Sequence, residues 1–305
     1  MVDIKTLTDL EITIFLLMMA GYFMTKIKWM NDESRKVLSD LLIRFILPCN
    51  ILVSFMMEFN RQILIDGLRI LGLSVCVQIL ILAVGRYFYP RAKKEKLAVL
   101  KYGTIVSNAG FMGNPIIQGL YGNHGLLYAS IYLIPLRIVM WSAGVACFTG
   151  AKGKNVLKKI VTHPCIVAVV IGLFLMVSQV PLPTGLTKTI QSVSDCTTAV
   201  SMIVIGNILA GVKMKEVVNG DTLWFCAVRL FLIPLLVLAG CRVVGMTELV
   251  TNVSVVLTGM PAAATTAILA AQYDGDAGFA AKIIFLSTLL SLVSIPALCL
   301  IMQSL

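Results

Sequence analysis

Ten apolar runs divide this chain, near residues 10–27, 37–57, 68–89, 102–120, 126–148, 161–180, 190–211, 223–244, 249–271 and 277–302. Each approaches the ~20 residues that a helix needs to cross the hydrocarbon of a bilayer. None shows the alternation that barrel strands require. Composition agrees: 58% of the 305 residues are apolar and 13% are charged, about half the charged share of a soluble domain. A soluble surface cannot be built from so few charges, and disorder needs low hydrophobicity. Ten spans leave only ~10 residues per connection, so no soluble domain fits between them. The leader Met1 to Asp9 carries Asp3 and Asp9 against Lys5, and no small-residue cleavage site follows. The first run therefore reads as a span and not as a cleaved signal. The expected fold is all-α, a polytopic membrane protein with one membrane domain.

The formal net charge is +10, and its placement sets an orientation. The loops after spans 1, 3, 5, 7 and 9 hold Lys26, Lys28, Arg35 and Lys36; Arg86, Arg91, Lys93, Lys94, Lys96 and Lys101; Lys152, Lys154, Lys158 and Lys159; Lys213 and Lys215; and Lys282. The opposite side holds Lys5, Arg61, Arg69, Lys188 and Arg242, and only Arg44, Arg137 and Arg229 lie inside apolar runs. Basic loops stay cytoplasmic, so both termini are expected outside the cell (inner) membrane. The same split disposes of a nucleic-acid partner, because the basic residues flank spans and form no continuous patch. The eight cysteines fall within or at the ends of spans with no Cys-x-x-Cys pair, and His124 and His163 are far apart. Neither a metal nor a cofactor is expected.

The two halves resemble each other. Asn50 and Asn207 stand 157 residues apart, as do Ser130 and Ser287; Pro115 and Pro261 stand 146 apart, and each is followed by a Tyr-Gly turn, at Tyr121-Gly122 and at Tyr273 to Gly275. The repeat divides the chain at 1–150 and 151–305. Five spans per repeat is an odd number, so the second repeat enters the membrane upside down. Inverted repeats of this kind are a transporter architecture.

Spans 4 and 9 each contain a helix breaker. Span 4 reads Ser107-Asn108-Ala109-Gly110-Phe111-Met112-Gly113-Asn114-Pro115, and span 9 reads Thr258-Gly259-Met260-Pro261-Ala262-Ala263-Ala264-Thr265-Thr266. Proline removes an amide donor, crowds the preceding turn and pushes the residue before it out of helical conformation. In lipid such a break is tolerated only where it packs on protein or lines a cavity. Small residues on both sides let two broken backbones approach. Each half-helix that starts at or just after its proline offers free amides and a positive dipole end, which together suit an anion.

On these strings the chain resembles the auxin efflux carrier family, the PIN-like transporters that include bacterial malate and malonate permeases. The resemblance covers essentially the whole length. It rests on Leu47 to Leu52, on Ser107 to Pro115 with Tyr121-Gly122, on Gly259-Met260-Pro261 and on Ser287 to Ser291. It implies ten helices in two inverted five-helix repeats, a scaffold of spans 1, 2, 6 and 7, and spans 4 and 9 crossing at their prolines beside an organic anion. Plant members carry a long cytosolic loop between the halves; here that connection is about Thr149 to Ile160.

The candidate substrate-binding residues follow from both arguments: Asn50, Asn108, Gly113, Asn114, Pro115, Tyr132, Arg137, Asn207, Thr258, Gly259 and Pro261. Arg137 lies mid-span, where an unpaired charge costs at least ~3 kcal/mol, so either a substrate carboxylate or a structural partner is expected. Arg44 and Arg229 sit nearer the cytoplasmic ends, within reach of snorkelling. Asn50 and Asn207 either bond a neighbouring helix or line the pathway. Tyr128 and Tyr132 suit packing or anchoring as well as binding. Asp40 and Asp195 begin spans 2 and 7 and read equally as helix caps or as proton-coupling acids.

The expected function is secondary transport of a small organic anion, a carboxylate or dicarboxylate, by alternating access. No nucleotide-binding loop is present, so a proton gradient, a sodium gradient, or the substrate gradient with the membrane potential would drive it. A homodimer is compatible with this reading. A sodium-coupled symporter of the bile-acid type is the nearest rival. An intramembrane enzyme would need a nucleophile with a base, or paired carboxylates, and neither is evident; a channel would lack saturable counterflow. A tag appended at either terminus is expected to be labelled from outside in intact cells. Labelling only after permeabilisation would reverse the orientation.

Overall fold

Large apolar side chains lie on the outside of this structure as well as in its core. Large apolar groups face outward, among them Phe23 at 56%, Phe174 at 66% and Val293 at 71% exposure, while Asn50, Ser54, Ser74, Asn114, Ser287 and Thr288 are buried. Lipid is as apolar as leucine, so burying apolar surface cannot drive these helices together; packing and interhelical hydrogen bonds must. The structure is a computed structural model. It describes residues 4–57, 61–85, 87–90, 92–149, 162–211, 217–273 and 275–304. The connection from 150 to 161, the basic positions 86, 91 and 213–215, and position 274 in the late turn lie outside the described residues.

Regular structure among the described residues is helical, apart from one isolated antiparallel bridge. The elements are α1 (Ile4–Lys26), α2 (Asp32–Leu41), α3 (Leu47–Phe55), α4 (Arg61–Val84), α5 (Lys94–Ile105), α6 (Asn114–Val139), α7 (Val145–Thr149), α8 (Pro164–Ser178), α9 (Thr184–Ala210), α10 (Gly220–Ala227), α11 (Ile233–Val244), α12 (Glu248–Thr258), α13 (Thr265–Gln272) and α14 (Ala277–Ser304). Six stretches are long and apolar enough to cross a membrane: Thr8–Lys26, Asp32–Phe55, Arg61–Val84, Thr184–Ala210, Gly220–Val244 and Ala277–Ser304. A seventh is the pair Ala109–Val139 and Ser142–Phe148, bent by 42°. The shorter apolar helices α8 and α12 and the broken segments make up the rest of the ten runs. Within α6 the backbone at Gly122 takes φ 60 and ψ −158, a conformation open to glycine and strained for other residues. The run is thus two helices meeting at a corner, at the Tyr121-Gly122 turn that the sequence marks.

Wide π turns at Leu42–Ile46, Ala109–Gly113 and Val228–Leu232 each end two residues before a proline, Pro48, Pro115 and Pro234. A proline ring crowds the carbonyl of the preceding turn, and one extra residue per turn relieves that crowding without ending the helix. This corrects the expectation for span 4. Asn114 is helical, at φ −57 and ψ −50, so Pro115 does not break the segment. The break lies upstream, where Val106 is extended at φ −110 and ψ 109. In span 9 the break does contain its proline, between α12 and α13.

The helices sort into two groups. In one, α1 packs along α9, and α3 packs against both α8 and α9. In the other, α6 packs against α4 and α12, α11 against α12, and α14 against α13 and α10. The α1–α9 pair sits at backbone contact. A Cβ on Gly206 would lie 2.0 Å from the Met18 carbonyl oxygen, and one on Gly21 would lie 2.2 Å from that of Ile203. The Asn207 amide donates to Thr25 Oγ1 across the same seam at 2.7 Å. Backbone cannot yield as a side chain can, so overpacking here should cost at least the usual 1–3 kcal/mol or so. Gly206→Val is expected to lower the melting temperature in detergent by several degrees. Gly240→Ala, where nothing lies within 4 Å of the new methyl, should leave it within about one degree; equal shifts would refute the close seam.

Candidate functional site

The two breaks meet and repair each other. Ser107 and Ala262 form an antiparallel bridge. Asn108 N–H donates to the Pro261 carbonyl at 2.8 Å, and Ala263 N–H donates to the Val106 carbonyl at 3.3 Å. The remaining donor at the bridge, Ala262 N–H, reaches Ser287 Oγ at 3.2 Å. That hydroxyl in turn donates to the Ile283 carbonyl at 2.6 Å. Tyr102 OH donates to Thr265 Oγ1 at 3.0 Å, tying α5 to the start of α13. Backbone groups that a continuous helix would pair internally are thus paired between two segments, as burial demands.

Diverting Asn108 N–H to Pro261 leaves the Thr104 carbonyl without its helical partner four residues on. Arg229 supplies one. Its Nη1 donates to the Thr104 carbonyl and its Nε to the Met260 carbonyl, both at 3.0 Å. The side chain is only 2% exposed. Arg229 therefore does not snorkel, contrary to the expectation from its place in the sequence; the two carbonyls hold it inside. Arg44 is mostly exposed beside Asp40, at 4.0 Å.

A cavity of about 430 Å³ opens beside the crossing. One wall is made of Ser107, Asn108, Gly110 and Phe111 with Ala263, Ala264 and Thr265, which are the first turns of the two second half-helices. The facing wall is Ile43, Leu47, Cys165 and Ile208, from the α3, α8 and α9 group. Arg137 lies between them, 6% exposed, and its Nη1 is buried with no hydrogen-bond partner among the described residues. Arg35 and Ser39, on α2, and His163, just before α8, complete the lining. His163 Nδ1 accepts from Cys165 N–H at 3.3 Å, capping α8. The arrangement offers the Arg137 guanidinium, the Arg35 guanidinium paired with Asp32 at 3.0 Å, and the amide ends of two helices in a largely apolar space of small-ligand size.

Of the residues singled out in the sequence, the cavity brings together Asn108 and Arg137. Pro261 and Asn108 are joined through the backbone bond at the crossing. Gly113 packs against α12, where an added Cβ would lie 2.7 Å from Leu257 Cδ2. Gly259 is equally tight against α14, 2.8 Å from Leu298 Cδ1. Thr258 Oγ1 bonds back to the Ser254 carbonyl at 2.7 Å. Pro115 and Asn114 are buried in α6, and both side-chain atoms of Asn114 lack a partner among the described residues. Tyr132 is buried, its hydroxyl likewise unpartnered and its carbonyl accepting from Ser74 Oγ at 2.6 Å. Asn50 Nδ2 donates to Gln118 Oε1 and to Ser194 Oγ, both at 3.0 Å, and lies away from the cavity lining. Asp40 and Asp195 are exposed and mid-helix, not caps; α2 is capped by Asn31, and Asp195 accepts from Gln191 Nε2 at 2.7 Å. Residues that sequence reasoning missed are Ser107, Phe111, Ala264, Thr265, His163 and, at the crossing, Arg229.

Known proteins are similar over the whole chain. The family described as Membrane transport protein matches residues 8–158 and again 148–299. An uncharacterized transporter of Methanothermobacter thermautotrophicus is 26% identical over 296 residues, which is 95% of this chain and 96% of the relative. An uncharacterized transporter of Methanocaldococcus jannaschii is 23% identical over 300 residues, 94% of this chain and 96% of that protein.

The crossing has one side chain whose removal leaves a buried amide bare. Ser287→Ala deletes the acceptor of Ala262 N–H, and an unpaired buried donor costs about 1–3 kcal/mol. The variant is expected to melt several degrees lower in detergent, whereas Ser304→Ala, at an exposed helix end, should not. No difference between them would mean that Ser287 does not support the crossing.

Proposed function

This chain belongs to the membrane transport protein family, which holds the auxin efflux carriers, and we propose that it moves a small organic anion across the cell membrane by alternating access. The observation that carries this reading is Arg137. Arg137 lines a cavity of about 430 Å³ and its Nη1 is buried without a partner among the described residues; a guanidinium left in that state is costly unless an anion visits it. The first turns of two half-helices line the same space and add positive partial charge, and Arg35, paired with Asp32, lines it as well. A carboxylate fits this set, and the apolar remainder of the lining suits a short hydrocarbon or ring.

Several features support ten spans in two inverted repeats, 1–150 and 151–305. The family matches the chain twice, once in each half. The α1–α9 and α3–α8 pairs exchange places when the halves are exchanged. The group containing α1, α3, α8 and α9 is then the scaffold, and the group containing the crossing is the moving part. With the basic loops in the cytoplasm, the side of the cavity lined by Arg35 and His163 faces inward. On the far side Asn50, Gln118 and Ser194 join the two groups. Asp40 and Asp195 lie outside the cavity, and binding requires neither.

The test is counterflow in proteoliposomes with labelled mono- and dicarboxylates, preceded by a thermal-shift screen for ligands that bind the native state. An anion that stabilises the protein should exchange saturably. Hydrogen bonds to a charged partner are worth about 1.5–3 kcal/mol, so Arg137→Gln should raise the apparent KM for that anion roughly 10- to 100-fold. An unchanged KM with normal membrane expression would make Arg137 structural.

A further inference from the structure

Arg229 is a charge buried among groups that carry none. Two of its hydrogen bonds go to main-chain carbonyls, Thr104 at the end of α5 and Met260 beyond the end of α12. Among the described residues its side chain is paired with no carboxylate, and the ionisable groups near it, Tyr89 and Tyr132, are neutral phenols. What balances it is the crossing itself. Each of the two first half-helices ends there with its negative dipole end and a carbonyl that the helix does not satisfy.

Two unsatisfied carbonyls at the C-terminal ends of broken helices are also the chemistry that binds a coupling cation in transporters with this type of break. Such an ion would arrive from solution, complete the crossing and leave with the substrate. Here the position in front of those carbonyls is filled by a side chain. We propose that the Arg229 guanidinium is a resident cation that takes the place of a coupling sodium ion at the crossing, so that the two broken helices are held together in every state of the cycle without an ion from solution. The role is one of positioning: Arg229 lies at the carbonyl ends of the half-helices, whereas Arg137 faces the cavity with their amide ends. The inference rests on the carrier reading above for its consequence in transport. Its structural half, a fixed charge that substitutes for an ion, stands without it.

Two consequences follow from charge and geometry. Wild-type protein should show the same counterflow rate and the same melting temperature in sodium chloride as in potassium or N-methylglucamine chloride. Arg229→Gln keeps a donor at the place of Nε, facing the Met260 carbonyl, and removes the charge together with the Nη1 donor to Thr104. It should lose at least 10-fold in counterflow and several degrees in melting temperature, and added guanidinium or sodium should restore part of both. Arg229→Lys keeps a charge, so it should retain most of the stability and remain indifferent to sodium. Sodium-dependent counterflow by the wild type would overturn the inference while leaving the anion-carrier reading intact. Absence of counterflow with any anion would overturn that reading; the melting temperatures would then still decide the role of Arg229. An Arg229→Gln protein that matches the wild type, or that no cation rescues, would refute a resident charge. Should that variant not fold, Arg229→Lys decides: a sodium-indifferent melting temperature near that of the wild type supports the charge, and a collapse as severe as that of the Gln variant overturns it.

Discussion

A main-chain amide or carbonyl that leaves a helix inside a membrane protein must find another partner, and the rest of this structure is arranged around that demand. Unpaired polar groups cost several kcal/mol each where no water reaches. Two breaks would therefore be prohibitive if each were left to itself. Here they are complementary: Val106 and Pro261 offer carbonyls, Asn108 and Ala263 offer amides, and the Ser107–Ala262 bridge aligns them. Ser287 and Arg229 take the groups that the exchange leaves over. Neither break is stable without the other. The crossing is therefore a single unit, although its strands are some 150 residues apart in the chain.

The cavity is a by-product of the same geometry. Breaking a helix exposes amides at the start of its second half, and the crossing brings two such starts, near Ala109 and Thr265, to one place. Arg137 adds a full positive charge to that place from α6, with Arg35 also in the lining. Close packing keeps this unit stiff. Gly113 against Leu257 Cδ2 and Gly259 against Leu298 Cδ1 bring these segments close, and a methyl group at either would have to displace a leucine side chain.

The apolar runs, the corner at Gly122 and the two polar interruptions are legible in the sequence because each depends on local chemistry: length, a backbone conformation favouring glycine, and a proline among small residues. Asn108 and Arg137 are legible as well, since a polar or charged group at membrane depth needs a reason. The place of the first break is not. Pro115 points to it, but a π turn absorbs that proline, and the extended residues lie near Val106, where nothing in composition marks them. Gly113, Asn114 and Pro115 consequently fall behind the cavity wall. Arg229 is misjudged for a different reason. Its burial depends on carbonyls from α5 and from the α12 break, 125 and 31 residues away along the chain, and no pattern in its own span records them. Asp40 and Asp195 suffer from the helix starts: α2 and α9 begin earlier than the apolar runs, so both acids sit on exposed helical faces.

Which bonds give way during the proposed cycle can be argued from where they lie. Those at the crossing, including both from Arg229, join elements of one group and need not break when that group moves. Asn50 is different. Its amide reaches Gln118 on α6 and Ser194 on α9, at 3.0 Å each; the first bond ties the two groups on the side away from the cavity, and the second stays within one of them. These are neutral hydrogen bonds, each worth about 0.5–1.5 kcal/mol net. That is enough to hold the far side shut and little enough for ligand binding to overcome. The α1–α9 seam, by contrast, has backbone against backbone at Gly21 and Gly206 and belongs to one group throughout. The close backbone seam thus lies within one group, and the Asn50–Gln118 bond between the groups is one that the proposed cycle would have to break.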